Sequence, residues 1–472
     1  MSATPLRWRA VAVVAMIAAI ALGVVLVLAV PVPVLAALCV LFAAITLVLA
    51  PSSRRPPLPP LDDTAIAALG PLPTATVLVA GRDEAAVIPH LLGDLAAQDH
   101  RDPDGRPRFE VIVVDDRSTD GTGTVAAEAA TRAGIGGITR VIRRGPPPGV
   151  HPDPGAPALA DGKGAALAAT NPADYQGAFV AILDADARIG PDYLRRAASY
   201  FARGAGAMTA RRRTLQHRPQ RWLLRQLEAA QADEQHADGE IQRGRWGNGG
   251  CSEFRGNGIL VRRDLLAAVG GWHDHALCED LDLSSRVATM GERVGWALDV
   301  VAWEEPVLDL GALRRQRLRW GRGIIRRELE LTAPLLASRL PAWAKLDYLA
   351  YSGQTVLPVS LGAALVAGAV AGAWPSLGLL FAAYLGPGAV LAADSFRWDG
   401  PSGPGSLPGR LLRALRLLVF SGLWIPVFAA SWPLVALGGG PVRYAKTEHT
   451  GAPDGFRPGT GGAAGHDRQG SR

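Results

Sequence analysis

The sequence predicts an α/β domain with a mostly parallel sheet, held between apolar segments near both ends of the chain. Three observations support this fold class. Short β-rich runs alternate with helical runs through the centre of the chain, which is typical of a parallel, doubly wound sheet. The flanking apolar runs approach or exceed the roughly 20 residues that span a bilayer. Acidic residues follow the ends of three predicted strands.

The composition agrees with a chain that combines a polar domain with membrane segments. Of the 472 residues, 49% are hydrophobic and 19% are charged, and the mean hydropathy is +0.14. The formal net charge of +6 does not indicate a nucleic-acid partner, because arginines beside apolar spans follow from the positive-inside rule. The cysteines Cys39, Cys251 and Cys278 have no metal-like spacing, so we expect no disulfide and no cysteine-bound metal.

The first 52 residues are predicted to form a transmembrane hairpin. Its two spans are residues 10–30, which carry no charge, and residues 34–50. A signal peptide is the alternative for the first span, but a second span that follows at once favours a retained hairpin. Arginines on both outer flanks predict that both ends of the hairpin face the cytoplasm.

A proline-rich linker at residues 53–73 leads into the predicted α/β domain, residues 74–327. The predicted strands are TATVLVA, FEVIVV, ITRVI and GAFVAIL. The helices predicted among them are Ala85–Gln98, Gly121–Ala133 and Gly162–Thr170.

The rest of the chain is predicted to return to the membrane. Residues 328–438 are expected to form interfacial and transmembrane helices, and residues 439–472 a tail that is disordered after its first part. The candidate spans are residues 346–371, 377–393 and 411–437.

Carboxylates follow three of the predicted strands, where open α/β sheets bind their ligands. Glu84 follows the first of these strands, Asp116 ends the second, and Asp184 and Asp186 follow the third. Each acid alone also fits a helix cap or a solvated turn. Three such groups together favour a ligand site.

Asp184 and Asp186 stand one residue apart in the stretch LDADARIGP. Like charges this close repel unless a positive charge lies between them, and a hard divalent cation such as Mg²⁺ or Mn²⁺ also takes phosphate oxygens. The chain has no P-loop and no GxGxxG after a strand, so a nucleotide site would need acids and a metal. Lys163, in GKGAAL, is placed either to reach a phosphate or as an ordinary surface lysine.

Two further stretches carry candidate residues. Asp280 begins an amphipathic helix, a position that the helix dipole alone favours for an acid. In LRRQRLRWGRG, helical spacing puts Gln316, Arg319 and Trp320 on one face. The alternative for this basic helix is binding to anionic lipid, which does not explain the shared face.

Together these stretches resemble the membrane-bound family 2 glycosyltransferases of the GT-A fold, which include the cellulose, hyaluronan, chitin and poly-N-acetylglucosamine synthases. VVDDRSTDGT, DADA, GNGILVRRDLL, CEDLDLSSRV and QRLRW occur in the family's order between about Thr76 and Trp320. The resemblance implies a multi-pass protein of a bacterial-type cell membrane, with a cytoplasmic GT-A domain between its spans.

The implied activity is metal-dependent, inverting hexosyl transfer from a nucleotide-sugar donor, expected to be UDP-linked, to a growing polysaccharide. The alternative is transfer of a single sugar to a membrane lipid. The partners implied are the donor, a glycan or lipid acceptor and membrane lipids, with no nucleic acid. The rival of another class is a non-enzymatic scaffold, and no candidate catalytic position is missing to support it.

The resemblance also assigns roles to residues. Asp280 is implied as the catalytic base, with Glu279 and Trp272 in support. The residues implied at the donor are Glu84, Asp116, Lys163 and Asp184. Those implied at Mg²⁺ or Mn²⁺ are Asp184 and Asp186. Those implied at the diphosphate and acceptor are Gln316, Arg319 and Trp320. Those implied in the covering motif AKTEHTG, Ala445–Gly451, are Lys446 and His449.

The chain departs from the family at three places, and two questions stay open. Ala80 and Cys278 stand where the family usually has proline and threonine, and the C-terminal motif lacks its tryptophan. A histidine base, His273 or His275, is the alternative to Asp280. Three C-terminal spans would leave the covering motif on the wrong side of the membrane, so one candidate span is expected to be interfacial or re-entrant.

Overall fold

The structure is a computed structural model in which the chain divides into two units. It describes residues 6–49, 56–145, 160–399 and 405–438, with Gly451 and Phe456. The apolar unit comprises the described residues within Met1–Arg55, Ala229–Ser252 and Leu308–Val442. The sheet unit comprises those within Pro56–Glu228, Glu253–Val307 and Arg443–Arg472.

Within the described residues, the strands all belong to the sheet unit. They are β1 Ala75–Gly81, β2 Phe109–Asp116, β3 Thr139–Arg144, β4 Phe179–Asp184, β5 Arg188–Ile189, β6 Ala207–Thr214, β7 Ile259–Arg262 and β8 Val294–Glu304. The helices are α1 Leu6–Leu28, α2 Val32–Leu49, α3 Asp63–Ala67, α4 Ile88–Ala96, α5 Thr122–Arg132, α6 Lys163–Leu167, α7 Tyr193–Ala202, α8 Trp222–Gly247, α9 Arg263–Ala268, α10 Glu279–Thr289, α11 Leu310–Ala337, α12 Ala342–Ser352, α13 Leu357–Ala371, α14 Trp374–Ser395, α15 Leu407–Ser421 and α16 Trp424–Ala436.

The sheet has the strand order β3-β2-β1-β4-β7-β6-β8-β5. The first four strands in this order are parallel, as the sequence predicts, and they lie within a few residues of their predicted bounds. The cores of β1, β2 and β4 are almost continuously apolar, as expected of strands buried on both faces, whereas β3 at the edge of the sheet is only partly buried. The mixed α/β fold with a mostly parallel sheet is therefore confirmed.

The other half of the sheet is mixed. β7 runs antiparallel to both β4 and β6, β6 pairs with β8 in parallel, and the two-residue β5 is antiparallel to β8. None of these four strands was predicted. β5 and β7 are too short to show a period, and β6 carries three arginines in its second half.

The register of the parallel strands places their carboxyl ends side by side. Gly81 pairs with Asp115, and Ala80 pairs with Asp184. Behind these ends lies a buried core that includes Ile182, Phe254 and Trp272. The acids at the strand ends therefore stand on a rigid apolar base.

The apolar unit contains three helices long and apolar enough to cross a membrane, counted over the described residues. They are Leu6–Leu28, Trp374–Ser395 and Leu407–Ala436, the last covering α15 and α16. α2 is a shorter apolar helix than these three. The hairpin, linker and domain bounds drawn from the sequence stay predictions.

The predicted span at residues 346–371 is not one straight helix. α12 with the turn that follows it meets α13 at an angle of 44°. Pro358 stands in the first turn of α13 and lacks the N–H that would continue the preceding helix. Length and composition suit this pair to a broken span or a re-entrant loop, which would raise the candidate spans among the described residues to four.

Candidate active site

The loop after β1 is tied to the loop after β2. Asp83 adopts a left-handed conformation with φ 56°, and its N–H donates to Ser118 Oγ at 2.9 Å. Its carboxylate accepts from the Thr119 N–H at 2.6 Å. The Glu84 N–H donates to Thr122 Oγ1 at 2.8 Å. This hydrogen bond fixes the backbone of Glu84, which is predicted to bind the nucleotide sugar. Strained backbone held by several bonds is common at functional sites.

Asp116 is buried at the end of β2 and is held by two arginines. Arg117 donates two hydrogen bonds of 2.9 Å to its carboxylate, and Arg144 donates one of 2.8 Å. Arg117 also reaches Asp161 at 2.7 Å, just before α6. The hydrogen bonds to Asp116 raise the pKa of Arg117 above its usual value. Asp116, the predicted nucleoside-binding residue, therefore belongs to an ion-pair network that the sequence did not reveal.

Lys163 is the positive charge that meets the carboxylates at the strand ends. Its ammonium contacts Asp184, lies 3.3 Å from the Gly256 carbonyl oxygen and 3.7 Å from Glu279 Oε1. Its side chain is only 9% exposed, which excludes an ordinary surface lysine. Lys163 thus joins the end of β4, the start of α10 and the loop before β7.

Asp280 is oriented by two backbone N–H groups. Gly256 donates to Oδ2 at 2.7 Å, and Leu281 donates to Oδ1 at 2.9 Å. Gly256 has φ 51°, a conformation that few side chains adopt. The Gly256 N–H donates to Asp280, and the Gly256 carbonyl oxygen accepts from Lys163. This one residue therefore connects the predicted base with the lysine that is predicted to bind the nucleotide sugar.

Two residues near this point were not predicted. A Cβ built on Gly256 would lie 3.8 Å from Asp280 Oδ2 and 3.9 Å from the Arg212 guanidinium. Arg212 lies 3.5 Å from Glu304, at the end of β8. Burial raises the pKa of Glu304, Arg212 opposes this, and the charge of Asp184 raises it further. Glu304 is one more acid at a strand end. The sequence did not indicate it as a site residue, because β8 was not predicted.

Asp186 is linked through Glu305 to Gly451 in the C-terminal tail. Its Oδ2 accepts from the Glu305 N–H at 3.4 Å, and the Glu305 carboxylate accepts from the Gly451 N–H at 2.6 Å. His217 Nε2 bonds the Gly451 carbonyl at 2.9 Å. Gly451 is the last residue of AKTEHTG, whereas Lys446 and His449 lie outside the described residues.

The donor set of Asp184 and Asp186 fits a hard divalent cation, because it offers only carboxylate oxygens. In the described part of the chain, no group of three or more His, Cys, Asp or Glu side chains is arranged to hold a metal. Two protein carboxylates therefore leave most coordination positions to other ligands, as Mg²⁺ sites that share substrate phosphates commonly do.

The two histidines of the alternative hypothesis lie near the start of α10. His273 Nδ1 is 3.2 Å from Asp282, a partner that the sequence did not identify, and the exposed His275 is 3.3 Å from Asp274. Burial raises the pKa of Asp282, but its hydrogen bond with His273 and the charge of Arg286 lower it below its usual range. His273 is therefore tied to a carboxylate of α10.

The supporting residue Trp272 lies in the core, where its indole N–H donates to the Tyr175 hydroxyl at 3.3 Å. Gln316, Arg319 and Trp320 lie half-buried on α11 in the apolar unit. The buried Arg317, which was not predicted, stacks on Trp320 with its guanidinium 4.5 Å from the ring centre and forms an ion pair with Glu234.

Two family models match the chain. The model described as glycosyl transferase family 2 matches residues 76–149, and the one described as glycosyl transferase family group 2 matches residues 179–392, together more than half of the chain. The chain belongs to the family 2 glycosyltransferases. In this family 2 glycosyltransferase, the matched regions contain Glu84, Asp116, Asp184, Asp280 and Arg319, but not Lys163.

The curated relatives of this family 2 glycosyltransferase include enzymes that are named for the synthesis of a glycolipid. The beta-monoglucosyldiacylglycerol synthase of Synechocystis sp. is 32% identical over 288 residues, which are 61% of this chain and 54% of the relative. The enzyme of the same name from Nostoc sp. is 32% identical over 57% of this chain and 53% of the relative. The chain thus spans about half the length of the curated relatives it matches.

A solved structure shares the fold of this family 2 glycosyltransferase. It is the mannosyltransferase PcManGT from Pyrobaculum calidifontis, solved in complex with GDP-Man and Mn²⁺. The TM-score is 0.50 at 21% identity, over 88% of this chain and 99% of that one. The likeness agrees with a GT-A-like sheet accompanied by apolar helices.

Lys163→Met tests whether Lys163 contacts the diphosphate of the bound nucleotide. Methionine keeps most of the apolar stem but removes the ammonium, which leaves Asp184 and Glu279 to repel an anionic nucleotide. Hydrogen bonds to charged groups contribute about 1.5–3 kcal/mol, so we expect nucleoside diphosphate affinity to fall about 10- to 100-fold. Calorimetry with UDP and GDP measures this change.

The matched control is Arg132→Met, which removes an exposed cation paired with Glu128 at 3.5 Å. It should leave both the affinity and the melting temperature unchanged. Lys163→Met is expected to melt cooperatively but at a lower temperature, because it leaves the carboxylates of Asp184 and Glu279 without their cation. Unaltered nucleotide binding by a folded Lys163→Met protein would contradict this contact between Lys163 and the diphosphate.

Proposed function

We propose that this chain is an inverting glycosyltransferase that moves a hexosyl group from a nucleotide sugar to the hydroxyl of a membrane lipid. The observation that carries the proposal is the convergence of Asp280, Lys163 and Asp184 around Gly256. It supplies a base and a cation within one small region. The lipid acceptor is supported by the relatives, which are named for the synthesis of a glucosyl diacylglycerol. The three candidate membrane helices found among the described residues agree with it.

The proposed chemistry is one displacement at the anomeric carbon of the donor. Asp280 accepts the proton of the acceptor hydroxyl while that oxygen forms the new bond to the anomeric carbon. The bond to the diphosphate oxygen breaks on the opposite face, and the nucleoside diphosphate leaves with the electron pair. Lys163 stabilises the charge that develops on this leaving group. A single displacement inverts the configuration of the sugar.

The nucleoside end of the donor is proposed to lie at Glu84 and Asp116. Arg117 and Arg144 hold the Asp116 carboxylate in one orientation, which suits it to accept hydrogen bonds from a base or ribose. Asp161 links this network to the start of α6 and hence to Lys163. The network would then set the distance between the nucleoside end and the diphosphate end of the donor.

We also propose that Asp184 and Asp186 hold Mg²⁺ or Mn²⁺ when the donor is bound. The cation would neutralise part of the charge on the diphosphate. Support comes from the oxygen-only donor set, and PcManGT was solved with Mn²⁺.

Chelation tests the metal directly. EDTA should abolish sugar transfer by the purified protein, and added Mn²⁺ or Mg²⁺ should restore it, because two carboxylates cannot neutralise a diphosphate. The readout is product formation before and after metal is returned. Undiminished transfer in excess chelator would rule out the metal site.

Polysaccharide elongation is the second candidate, favoured by the Q-x-x-R-W residues Gln316, Arg319 and Trp320. Plant relatives named as probable glucomannan 4-beta-mannosyltransferases, such as one from Arabidopsis thaliana, match at 26% identity over 37% of the chain. The relatives named as beta-monoglucosyldiacylglycerol synthases match more of the chain at higher identity than the plant relatives do. We therefore favour the lipid acceptor over a polysaccharide. Arg319 is proposed to contact the diphosphate or the acceptor in either case.

Asp280→Asn tests the base. The amide has nearly the shape of the carboxylate but cannot take the proton, so donor binding should stay close to normal. Turnover should fall by about 10²–10⁴-fold, the usual effect of losing a general base. Donor affinity is measured by calorimetry and turnover by product formation, on the same samples.

The histidine alternative is tested alongside by His273→Ala and His275→Ala, which should have smaller effects on turnover. If Asp280→Asn turns over normally, or if a histidine variant is the inactive one, the assignment of the base is wrong.

A further inference from the structure

The start of α8 exposes two large apolar side chains among arginines. Trp222 is 65% exposed and Leu223 is 61% exposed. Arg221 and Arg225 lie beside them and are exposed as well. Within the part of the chain that the structure describes, these two arginines form no ion pair. We call residues 221–225 the basic-apolar turn.

The basic-apolar turn is unfavourable for the folding of the isolated chain. Arg221 and Arg225 stand four residues apart, where like charges on a helix repel. They also lie at the helix N-terminus, which carries the positive end of the dipole, and the first turn contains no acid. The exposed Trp222 and Leu223 gain nothing from burial. A negatively charged partner with an apolar interior would offset all three costs.

The basic-apolar turn is nevertheless held in place. The Glu228 carboxylate, one turn along α8, accepts from the His217 N–H at 2.5 Å and the Arg218 N–H at 3.2 Å. Arg218 is strained, with φ 51°. The chain before α8 is therefore fixed against the helix, and the exposed side chains are presented from a rigid support.

The structure assigns the basic-apolar turn as a docking site for a bilayer surface that contains anionic phospholipid. Trp222 and Leu223 enter the boundary between headgroups and acyl chains, where aromatic residues are enriched. Arg221 and Arg225 pair with lipid phosphates, as basic residues on interfacial helices do.

A bilayer is the partner that other features of the same chain favour. Over the residues that the structure describes, three helices are long and apolar enough to span a membrane. α8 itself continues into the apolar unit, where Ala237 packs against Ala392 and Phe396 at the end of the candidate span α14. The docking does not depend on the identity of the sugar or the acceptor, so its test needs no turnover.

The test places a spin label at Leu223→Cys in the full-length protein, in a Cys39→Ser background, because Cys251 and Cys278 are buried. The protein is reconstituted in nanodiscs of neutral phosphatidylcholine or of a mixture with phosphatidylglycerol. Collision rates with oxygen, which favours the bilayer, and with a water-soluble nickel complex report the surroundings of the label. We expect a preference for oxygen in the anionic discs and its loss in neutral discs.

Two double variants complete the experiment. Arg221→Gln with Arg225→Gln should abolish the preference for oxygen in anionic discs. Arg106→Gln with Arg132→Gln, which removes equal charge from exposed, ion-paired positions, should leave it unchanged. A label that stays aqueous in both discs overturns the proposal. So does a preference for oxygen that is equal in neutral and anionic discs, since the arginines would then contribute nothing.

Discussion

The contact between Lys163 and Asp184 is the interaction on which the candidate site depends. Asp184 ends β4, Glu304 ends β8 and Glu279 begins α10, and the three carboxylates gather near the Lys163 ammonium. Without a cation, carboxylates this close would not all stay ionised. Lys163 offsets them from the first turn of α6 and also reaches the Gly256 carbonyl, so the charge balance fixes the loop that orients Asp280.

The parallel half of the sheet and its strand-end acids were predictable, because continuous apolar runs ending in carboxylates leave a strong local signal. The ion-pair partners of those acids were not predictable. Arg144, on the neighbouring strand β3, donates to Asp116, and two residues so far apart in the chain leave no sequence pattern that would indicate their contact. Arg212 and Glu304 depend on the mixed half of the sheet, whose strands are short or rich in charge.

Two helices that are polar by sequence belong to the apolar unit. α8 and α11 both begin within residues 74–327, and most of α8 and all of α11 lie in the apolar unit. Asp233 explains part of this, because Arg413 and Arg416 both form ion pairs with its buried carboxylate. Charged side chains that satisfy one another can be buried among apolar helices, and a hydropathy scan cannot see the pairing.

The acceptor that we propose for this site is a lipid at a membrane. The most direct measurement incubates the reconstituted full-length protein with labelled UDP- and GDP-sugars and diacylglycerol, then analyses the product by mass and by anomeric configuration. We expect a single-sugar lipid adduct whose anomeric configuration is inverted relative to the donor. A polymer ladder without a lipid adduct, or a product that retains the donor's configuration, would contradict it.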